Sequence, residues 1–403
     1  MGLGYIGLPT ASLIASRGIE VQGIDIHQRI VDTVNRGEIH IVEPDLQGLV
    51  KYNIDQGFLR ASTQPDEADV FIIAVPTPLG EDKSPHTGFI EDAVSAILPK
   101  LKEGDLIILE STSPVGTTEA MEQQIVQARP ELNGKLAIAY CPERVLPGNV
   151  IYELEHNDRV IGGIDANSSE KAIEFYELFV KGKLFKTTVR TAEMCKLAEN
   201  SFRDLNIAFA NELSMICDKA GIDAWELIKL SNCHPRVNIL QPGVGVGGHC
   251  IAVDPWFIVS SFEKEATIIK TAREVNLKKT QWVIEQIEGH LENLRLTLNR
   301  EPRLACLGLA FKPDVDDLRE SPSLEIVEHL ATRKNIKLMA VEPNIDSHDK
   351  LEIYGLESAL GQADMVIFLT AHKEFRKIDS GSLEGKTVLD FCKAYPTQIV
   401  PVS

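Results

Sequence analysis

A glycine fingerprint at the start of the sequence is the feature that most constrains how this chain can fold. Gly2-Leu3-Gly4-Tyr5-Ile6-Gly7 has the spacing G-x-G-x-x-G and runs directly into a helical pattern. Glycines at these positions allow a tight turn, let the backbone approach a pyrophosphate, and pack a helix closely against a strand. The free amides and dipole of the following helix would favour phosphate groups. Taken alone, the motif is as typical of a glycine-rich turn as of a dinucleotide site.

Asp25 decides between these two interpretations, because it ends the next apolar run after the fingerprint. A carboxylate at this place accepts hydrogen bonds from an adenosine ribose diol and repels a 2′-phosphate. The sequence therefore predicts NAD as the cofactor, with a site formed by Gly2, Gly4, Tyr5, Ile6, Gly7 and Asp25.

A fingerprint of this kind normally follows a strand, yet only Met1 precedes it here. We therefore expect the first, mid-sheet strand to be absent, either because the start codon was mis-assigned or because the chain was shortened. Its absence would leave two unpaired strand edges and would open the core beneath the cofactor.

The sequence pattern predicts an α/β segment, then an all-α segment, then a second α/β segment. Short apolar runs alternate with helix-length segments at first, which predicts a doubly wound parallel sheet with strands at 20–24, 70–75, 106–109 and 136–140. From about 168 to 298 strand signals are lacking, and apolar residues recur at helical spacing along 191–220. The alternation then resumes, with strands at 303–307, 338–341, 365–369 and 387–391. We predict two Rossmann-like domains, residues 1–165 and 299–403, joined by a central helical domain, residues 166–298.

Composition excludes several classes of function. The 59 acidic residues outnumber the 41 basic ones, and the net charge of −18 argues against nucleic-acid binding. No apolar run approaches the roughly 18 residues needed to span a bilayer, and no signal peptide is visible, so we expect no membrane insertion. The seven cysteines are scattered and form no C-x-x-C pair, which predicts a reducing cytoplasm and neither a disulfide framework nor a metal site.

The most unusual stretch is the cysteine loop, residues 243–254, in which four glycines precede Cys250. Glycines let the backbone approach a ligand closely. A helix that began near Cys250 would stabilise its thiolate, and Asp254 would lie on one face of that helix, although Pro255 weakens this prediction. The alternative is a turn followed by a buried, inert cysteine, and the glycine run favours a functional one.

Other polar groups are candidates for the same chemistry. Glu193, Lys196 and Asn200 fall on one face of the 191–220 helix, where a lysine could stabilise an oxyanion and an asparagine could donate a second hydrogen bond. The pattern alone favours a solvated stripe with an ordinary ion pair. Residues 110–116, 141–144 and 311–322 are polar where strands end, the usual place for ligands in open α/β sheets.

The motifs together resemble one family. Residues 2–7, 75–78, 110–116, 141–144, 192–200, 247–254 and 311–322 match, in order and spacing, the UDP-glucose/GDP-mannose dehydrogenases. These are NAD-dependent enzymes that oxidise sugar nucleotides by four electrons. Within the family, residues 234–242 and 248–257 look most like the branch that acts on an N-acetylated UDP-hexosamine for bacterial surface polysaccharides.

The resemblance implies a role for each catalytic candidate. Cys250 would capture a C6 aldehyde as a thiohemiacetal, and a second hydride transfer would leave a thioester that water hydrolyses. Lys196 and Asn200 would stabilise the oxyanions. Asp254 would assist proton transfer through water near Thr112, and Glu143 would help to activate the hydrolytic water.

The resemblance also implies binding residues and a partner. Pro76, Thr77, Thr112 and Arg319 would join the NAD site, whereas the UDP-sugar would be bound by Arg144, Lys196, Asn200, Arg236, Gly247 and Lys312. The helix 191–220 would form the core of a homodimer, in which Arg236 would reach the partner's active site.

Three other hypotheses about the function remain open. The same chemistry could act on another sugar nucleotide, above all UDP-N-acetylglucosamine. The chain could instead be a catalytically inert nucleotide-binding homologue, disabled by its missing strand. A 3-hydroxyacid dehydrogenase is the weakest alternative, because it would need neither Cys250 nor a second α/β domain.

Overall fold

The computed structural model describes residues 1–145 and 148–395. They divide into two compact units. The first comprises Met1–Glu199 and Trp256–Phe262, and the second comprises Asn200–Pro255 together with the chain from Glu263 onward.

The first unit is built from parallel strands and covering helices. Its strands are β1 (Val21–Ile24), β2 (Leu59–Ser62), β3 (Val70–Ile73), β4 (Leu106–Leu109), β5 (Ala137–Tyr140), β6 (Arg159–Gly163) and β7 (Leu184–Thr188). Its helices are α1 (Gly7–Ala15), α2 (Gln28–Asn35), α3 (Leu46–Asp55), α4 (Gly88–Ile97), α5 (Thr117–Ala128), α6 (Val150–His156) and α7 (Ala166–Glu177). β1 pairs with β2, and the others form a sheet in the order β3-β4-β5-β6-β7, in which only the β5–β6 pair is antiparallel.

Central strand β4 shows why the sheet must be covered on both faces. All four of its residues are buried, and their side chains alternate between two cores. Ile107 and Leu109 pack with α4 and α5, whereas Leu106 and Ile108 pack with α1, α6 and α7. A strand with apolar side chains on both faces is stable only between two helical layers, which is the doubly wound arrangement that the sequence predicts.

Met1 and Gly2 lie between the two sheets of this unit. The Met1 amino group donates to the Ile72 carbonyl at 2.7 Å, and the Met1 carbonyl accepts from the Ala74 amide at 2.9 Å. On the other side, the Gly2 amide donates to the Ile24 carbonyl at 2.7 Å. The two residues therefore bond to β3 and to β1, at the place where the sequence analysis expects a mid-sheet strand.

The second unit holds the long helices and a four-stranded sheet. Helix α8 (Val189–Ala220) begins in the first unit and continues into the second, which also contains α9 (Ala224–Ser231), α11 (Thr267–Leu298), α12 (Pro322–Ala331) and α13 (Leu356–Gln362). Helix α10 (Asp254–Ser261) has its first two residues in the second unit and its remaining residues in the first. The strands β8 (Arg303–Leu307), β9 (Lys337–Val341), β10 (Met365–Phe368) and β11 (Thr387–Asp390) are all parallel, in the order β11-β10-β8-β9. In the part of the chain that the structure describes, no helix is long and apolar enough to cross a bilayer.

The α/β architecture with its helical middle is confirmed, and β4 and β8 have the predicted bounds. Three strands were missed. The expectation that strand signals are lacking after residue 168 is wrong, because β7 lies there. Since β7 is the edge strand of its sheet and none of its five residues is buried, it shows little apolar signal.

Candidate active site

The three fingerprint glycines serve three different purposes. Gly2 has a φ of +88°, and a Cβ on it would lie 2.6 Å from the Ala74 carbonyl oxygen. A Cβ on Gly7 would lie 1.8 Å from the Gly2 oxygen, so close packing excludes one. A Cβ on Gly4 would meet nothing within 4 Å. The backbone at Gly4 is therefore open to a ligand, and this geometry fits a pyrophosphate at the start of α1.

Asp25 lies beside this turn, at the end of β1. Its Oδ2 accepts a hydrogen bond from the Leu3 amide at 3.1 Å, and its Oδ1 accepts one from the His27 amide at 2.9 Å. These two bonds hold the carboxylate next to the fingerprint, as an NAD ribose site requires. Tyr5 and Ile6, also predicted to contact the cofactor, are exposed and half-buried.

The loops that follow β3 and β4 meet at Thr77 and Thr112. The Thr77 hydroxyl donates to the Thr112 carbonyl at 2.6 Å, and the Ser111 hydroxyl donates to the Val75 carbonyl at 2.8 Å. Pro76 is exposed between these contacts. The structure therefore brings together these three residues of the predicted cofactor site, at the carboxyl ends of neighbouring strands.

Glu143, the predicted activator of water, is paired with a buried arginine. Its Oε1 accepts from the Arg144 amide at 2.6 Å, and its Oε2 lies 3.4 Å from both terminal nitrogens of Arg159. Arg159 is itself buried on β6. The Arg144 amide and the buried guanidinium together hold the Glu143 carboxylate in one orientation. Arg159 was missed in the sequence because β6 was missed, and nothing marks this arginine among the 41 basic residues.

Glu110 belongs to the same buried cluster and has different hydrogen-bond partners. The Tyr176 hydroxyl donates to its Oε1 at 2.6 Å, and among the described residues its buried Oε2 has no hydrogen-bond partner. Burial raises the pKa of Glu110 to about 7, against the attraction of Arg159. Cys141 lies in the same cluster, where burial raises its pKa to about 11, so this cysteine is the inert kind.

Glu193 corrects the expectation of a solvated stripe on α8. It is fully buried, and its carboxylate accepts from the Gly116 amide at 2.6 Å and from the Thr118 amide at 2.9 Å, at the start of α5. Burial raises the pKa of Glu193, against these hydrogen bonds. Asn200 is also buried and Lys196 is half-buried. The stripe prediction is wrong because helical spacing does not say which face of a helix packs against another element.

In the second unit, the glycines of the cysteine loop let its backbone approach the protein itself. A Cβ on Gly245 would lie 2.4 Å from the Thr280 hydroxyl oxygen, and one on Gly247 would lie 2.4 Å from the Glu320 carbonyl oxygen. Gly248 has a φ of +79° and packs on the Phe311 ring. Two of the predicted polar segments, 243–254 and 311–322, are thus brought together, and atoms of the protein itself occupy the space that a Cβ on Gly245 or Gly247 would need.

Cys250 lies one turn before α10 and is half-buried. Its carbonyl accepts from the Val253 amide at 3.1 Å and from the Asp254 amide at 2.8 Å. The helix predicted near Cys250 therefore begins four residues later, at Asp254, after a stretch of turn. Pro255 falls in the first turn of α10, where its missing N–H breaks no helical hydrogen bond.

Asn200 and Asp254, two predicted catalytic residues, are in direct contact. The Asn200 side-chain amide donates to Asp254 Oδ2 at 2.5 Å, and both residues are buried. Lys196 precedes Asn200 by one turn of α8 and therefore lies on the same helical face. The hydrogen bond fixes the first residue of α10, and with it the end of the cysteine loop.

The predicted cationic binding residues are placed as follows. Arg144 pairs with Glu199 at 2.6 Å and donates to the Asp158 carbonyl. Arg319 forms a two-point ion pair with Asp317. Lys312 and Arg236 are exposed.

One group of side chains has the composition of a metal site. Ligand atoms of Asp314, His372 and Glu374 lie within 4.8 Å of one another. Both ring nitrogens of His372 already have protein partners, since Nδ1 accepts from the Asp314 amide at 2.9 Å and Nε2 lies 3.0 Å from Glu342 Oε2. The geometry gives no histidine nitrogen to a cation, and the expectation of no metal stays a prediction.

Comparison with known proteins covers nearly the whole chain. Three profiles of the UDP-glucose/GDP-mannose dehydrogenase family match in order: the NAD binding domain over residues 1–180, the central domain over 190–278 and the UDP binding domain over 305–397. The chain is 54% identical to the UDP-N-acetyl-D-mannosamine dehydrogenase of Campylobacter jejuni, over 97% of this chain and 98% of that protein. It is 52% identical to the NDP-N-acetyl-D-galactosaminuronic acid dehydrogenase of Ralstonia nicotianae, over 97% and 94%.

Among solved structures, the UDP-D-ManNAc dehydrogenase of Pyrococcus horikoshii superposes with a TM-score of 0.88 at 35% identity, covering 100% of this chain and 96% of that one. The predictions of the family, of its fold and of NAD as the cofactor are confirmed.

Substitutions in the fingerprint should separate cofactor binding from folding. Gly4→Ala places its methyl group where the backbone is open, so we expect NAD binding to weaken at least tenfold while thermal stability changes little. Gly7→Ala drives a methyl group into the Gly2 carbonyl, so we expect a loss of stability. Titration calorimetry with NAD and thermal unfolding measure both effects. A Gly4→Ala protein that binds NAD as the unsubstituted chain does would contradict the assigned site.

Glu110 should make the stability of the protein fall as the pH rises. Its pKa is about 7 in the folded state against an ordinary value of 4.5, so the folded chain holds a proton that the unfolded chain releases. Between these values each pH unit lowers the unfolding free energy by up to about 1.4 kcal/mol. Glu110→Gln should therefore gain thermal stability over the unsubstituted chain as the pH rises from 5 to 7. The exposed Glu177→Gln is the matched control, and equal curves for both variants would contradict the prediction.

Proposed function

Because the chain belongs to the UDP-glucose/GDP-mannose dehydrogenase family, we propose that it oxidises UDP-N-acetyl-D-mannosamine at C6 to the uronate by two successive NAD-dependent steps. The observation that carries this proposal is the buried Asn200–Asp254 hydrogen bond at the start of α10, one turn after Cys250. Relatives that carry the name of this activity support the choice of sugar, with 54% and 53% identity in Campylobacter jejuni and Escherichia coli.

Cys250 explains how an alcohol reaches the level of an acid. NAD, when bound, accepts the hydride that leaves C6 in each of the two oxidations. After the first oxidation, the Cys250 thiolate adds to the C6 aldehyde and the oxygen becomes the hydroxyl of a thiohemiacetal. Loss of the second hydride and of the hydroxyl proton leaves a thioester. Water then adds to C6, the carbon–sulfur bond breaks, and the thiolate returns as the carboxylate leaves.

The neighbouring residues of the cysteine loop handle charge and protons. Asp254 accepts the proton of the Cys250 thiol or of the C6 hydroxyl, directly or through a water molecule. Its hydrogen bond from the Asn200 amide stabilises the ionised carboxylate that this role needs. Lys196, on the same helical face as Asn200, stabilises the negative charge that develops on the C6 oxygen.

Glu143 is the base that we assign to the hydrolytic water. Water attacks the thioester best when a carboxylate accepts its proton, and the carboxylate must be ionised for that purpose. The Arg159 guanidinium lies 3.4 Å from Glu143 Oε2 in a buried environment and holds this carboxylate in place.

We assign the recognition of the UDP-sugar to Arg144, Arg236, Gly247 and Lys312, and part of the NAD site to Arg319. Arg236 and Lys312 are exposed and available to phosphate groups. Arg144 and Arg319 are paired with Glu199 and Asp317, so each would exchange a carboxylate for a phosphate. Seven scattered cysteines, NAD and a nucleotide sugar fit a cytoplasmic enzyme, whose uronate would serve surface polysaccharides such as enterobacterial common antigen.

A second candidate substrate has its own support. The Ralstonia relatives named for N-acetyl-D-galactosaminuronic acid are 52% identical to this chain, almost as similar as those named for mannosamine. UDP-N-acetylgalactosamine therefore joins UDP-N-acetylglucosamine as an alternative. All three sugars present the same primary alcohol at C6, so the proposed chemistry is unchanged among them.

A homodimer through α8 is the assembly that we propose. Phe202, Phe209 and Ile216 recur every seven residues on this helix, and their side chains are 68%, 49% and 56% exposed. Large apolar side chains in one row along a helix indicate a surface that another helix covers. A second copy of α8 is the occupant that the resemblance implies.

Stoichiometry tests the proposed reaction most directly. Two NADH formed per UDP-N-acetyl-D-mannosamine consumed would establish the four-electron oxidation, whereas one would mean that only the alcohol is oxidised. Cys250→Ser should lower the rate of uronate formation at least a thousandfold, because an alkoxide leaving group makes a poor substitute for a thiolate. Cys233→Ser, at an exposed cysteine, is the matched control and should keep full activity.

The same assay decides between the candidate sugars and the inert homologue. Equal concentrations of the mannosamine, glucosamine and galactosamine nucleotides should give the largest kcat/KM for the first. Faster turnover of the glucosamine or the galactosamine nucleotide would overturn the choice of sugar while leaving the chemistry in place. A protein that binds NAD and forms no NADH with any of them would support the inert homologue.

The dimer is tested by placing a charge in the apolar row. Phe209→Glu would put two carboxylates into the interface of two α8 helices, so we expect the chain to run as a monomer in sedimentation equilibrium. Glu226→Gln, an exposed change on α9, should leave the assembly unchanged. A Phe209→Glu protein with the mass of the unsubstituted dimer would contradict the assignment.

A further inference from the structure

The cysteine loop is joined to α8 at both of its ends. At its end, Asp254 accepts the Asn200 side-chain amide at 2.5 Å. At its start, the Gly243 amide donates to Asn211 Oδ1 at 2.9 Å. Asn200 and Asn211 lie on one helix, about 16 Å apart along its axis at 1.5 Å per residue. The loop is therefore held between two fixed points on a rigid element.

Asn211 is fully buried, and both ends of its amide are used. Its Oδ1 accepts from Gly243, and its Nδ2 donates to Asn276 Oδ1 on α11 at 2.9 Å. Asn276 in turn donates to Asp204 Oδ1 at 2.7 Å, and the Arg273 guanidinium donates to the same oxygen at 2.5 Å. This chain of buried hydrogen bonds leaves the Asn211 side chain a single orientation.

The next residues of the loop are fixed by α11. The Thr280 hydroxyl donates to the Val244 carbonyl at 3.0 Å, and the Thr280 side chain occupies the place that a Cβ on Gly245 would need. Four glycines give the backbone of this loop high conformational freedom. Such a loop holds a reactive group in place only if its backbone is anchored elsewhere.

We propose that Asn211 is a positioning residue for Cys250, which with Asn200 fixes the cysteine loop to α8 and so sets where the thiol stands. The inference rests on the proposed role of Cys250 in the reaction. Asn211 touches no reacting atom in this scheme. It acts through the Gly243 amide, and catalytic groups that move by a fraction of an ångström lose much of their effect.

Hydrogen exchange measured by mass spectrometry tests the anchoring without any substrate. Asn211→Ala removes both hydrogen bonds of the side chain, so amides in a peptide covering 243–254 should exchange at least tenfold faster. Peptides from β4 should be unchanged, and the dissociation constant of NAD should stay within twofold. Asn293→Ala, at an exposed asparagine of α11, is the matched control and should leave the loop unchanged.

A second variant covers the case in which Asn211→Ala does not fold. Thr280→Ala removes the hydroxyl that holds Val244 and should also speed exchange in 243–254. In the folded variants, kcat with the UDP-sugar should fall at least tenfold. Hydrogen exchange in the loop within twofold of the unsubstituted chain would overturn the proposal. Exchange that accelerates equally in α9, α11 and the four-stranded sheet β11-β10-β8-β9 would also overturn it.

The two proposals fail in different ways. An unsubstituted chain without activity on any UDP-sugar would overturn the proposed function, and the exchange measurement would still show whether Asn211 holds the loop. If the chain is active and Asn211→Ala leaves hydrogen exchange in the loop unchanged, the proposed function stands and the positioning role of Asn211 is wrong.

Discussion

The fixed spacing of side chains along α8 is the constraint on which the candidate site depends. This helix runs for 32 residues, about 48 Å, without a break. Asn200 and Asn211 keep a constant separation because a helix has no internal freedom at that scale, whereas a loop with four glycines has a great deal. The hydrogen bonds from Asn200 to Asp254 and from Gly243 to Asn211 therefore tie both ends of the cysteine loop to one rigid element.

The buried carboxylates of the first unit differ in the groups that contact them. Glu193 accepts two backbone amides and so closes the start of α5. Glu143 lies 3.4 Å from the Arg159 guanidinium, whereas Glu110 lies 3.9 Å from it and accepts a hydrogen bond from the Tyr176 hydroxyl. Burial raises the pKa of Glu110 to about 7 in spite of these partners.

Local sequence patterns predict most of the fold and the cofactor. They do not predict features that depend on contacts between segments far apart in the sequence. The fingerprint and Asp25 were readable because every group involved lies within one βα turn of the sequence. The sequence does not reveal the role of Arg159, because that role depends on its contact with Glu143, which lies in the loop after β5. Asn211 was not readable either, because a polar residue on an amphipathic helix is ordinarily solvated and only the fold places it against Gly243. The prediction of a solvated Glu193 is wrong for the same reason, because only the fold places this residue against the start of α5.

The choice among N-acetylated sugars depends on polar contacts to the sugar ring. Relatives named for mannosamine and for galactosaminuronic acid are nearly equal in identity to this chain, so overall similarity does not decide between the two sugars. N-acetyl-D-mannosamine and N-acetyl-D-galactosamine differ only in configuration, at C2 and C4, and a hydrophobic surface separates such isomers poorly. A buried group that must hydrogen-bond a hydroxyl separates them well, because the wrong isomer leaves it unpaired. Discrimination therefore requires a polar group of the site that pairs with a substituent on C2 or C4.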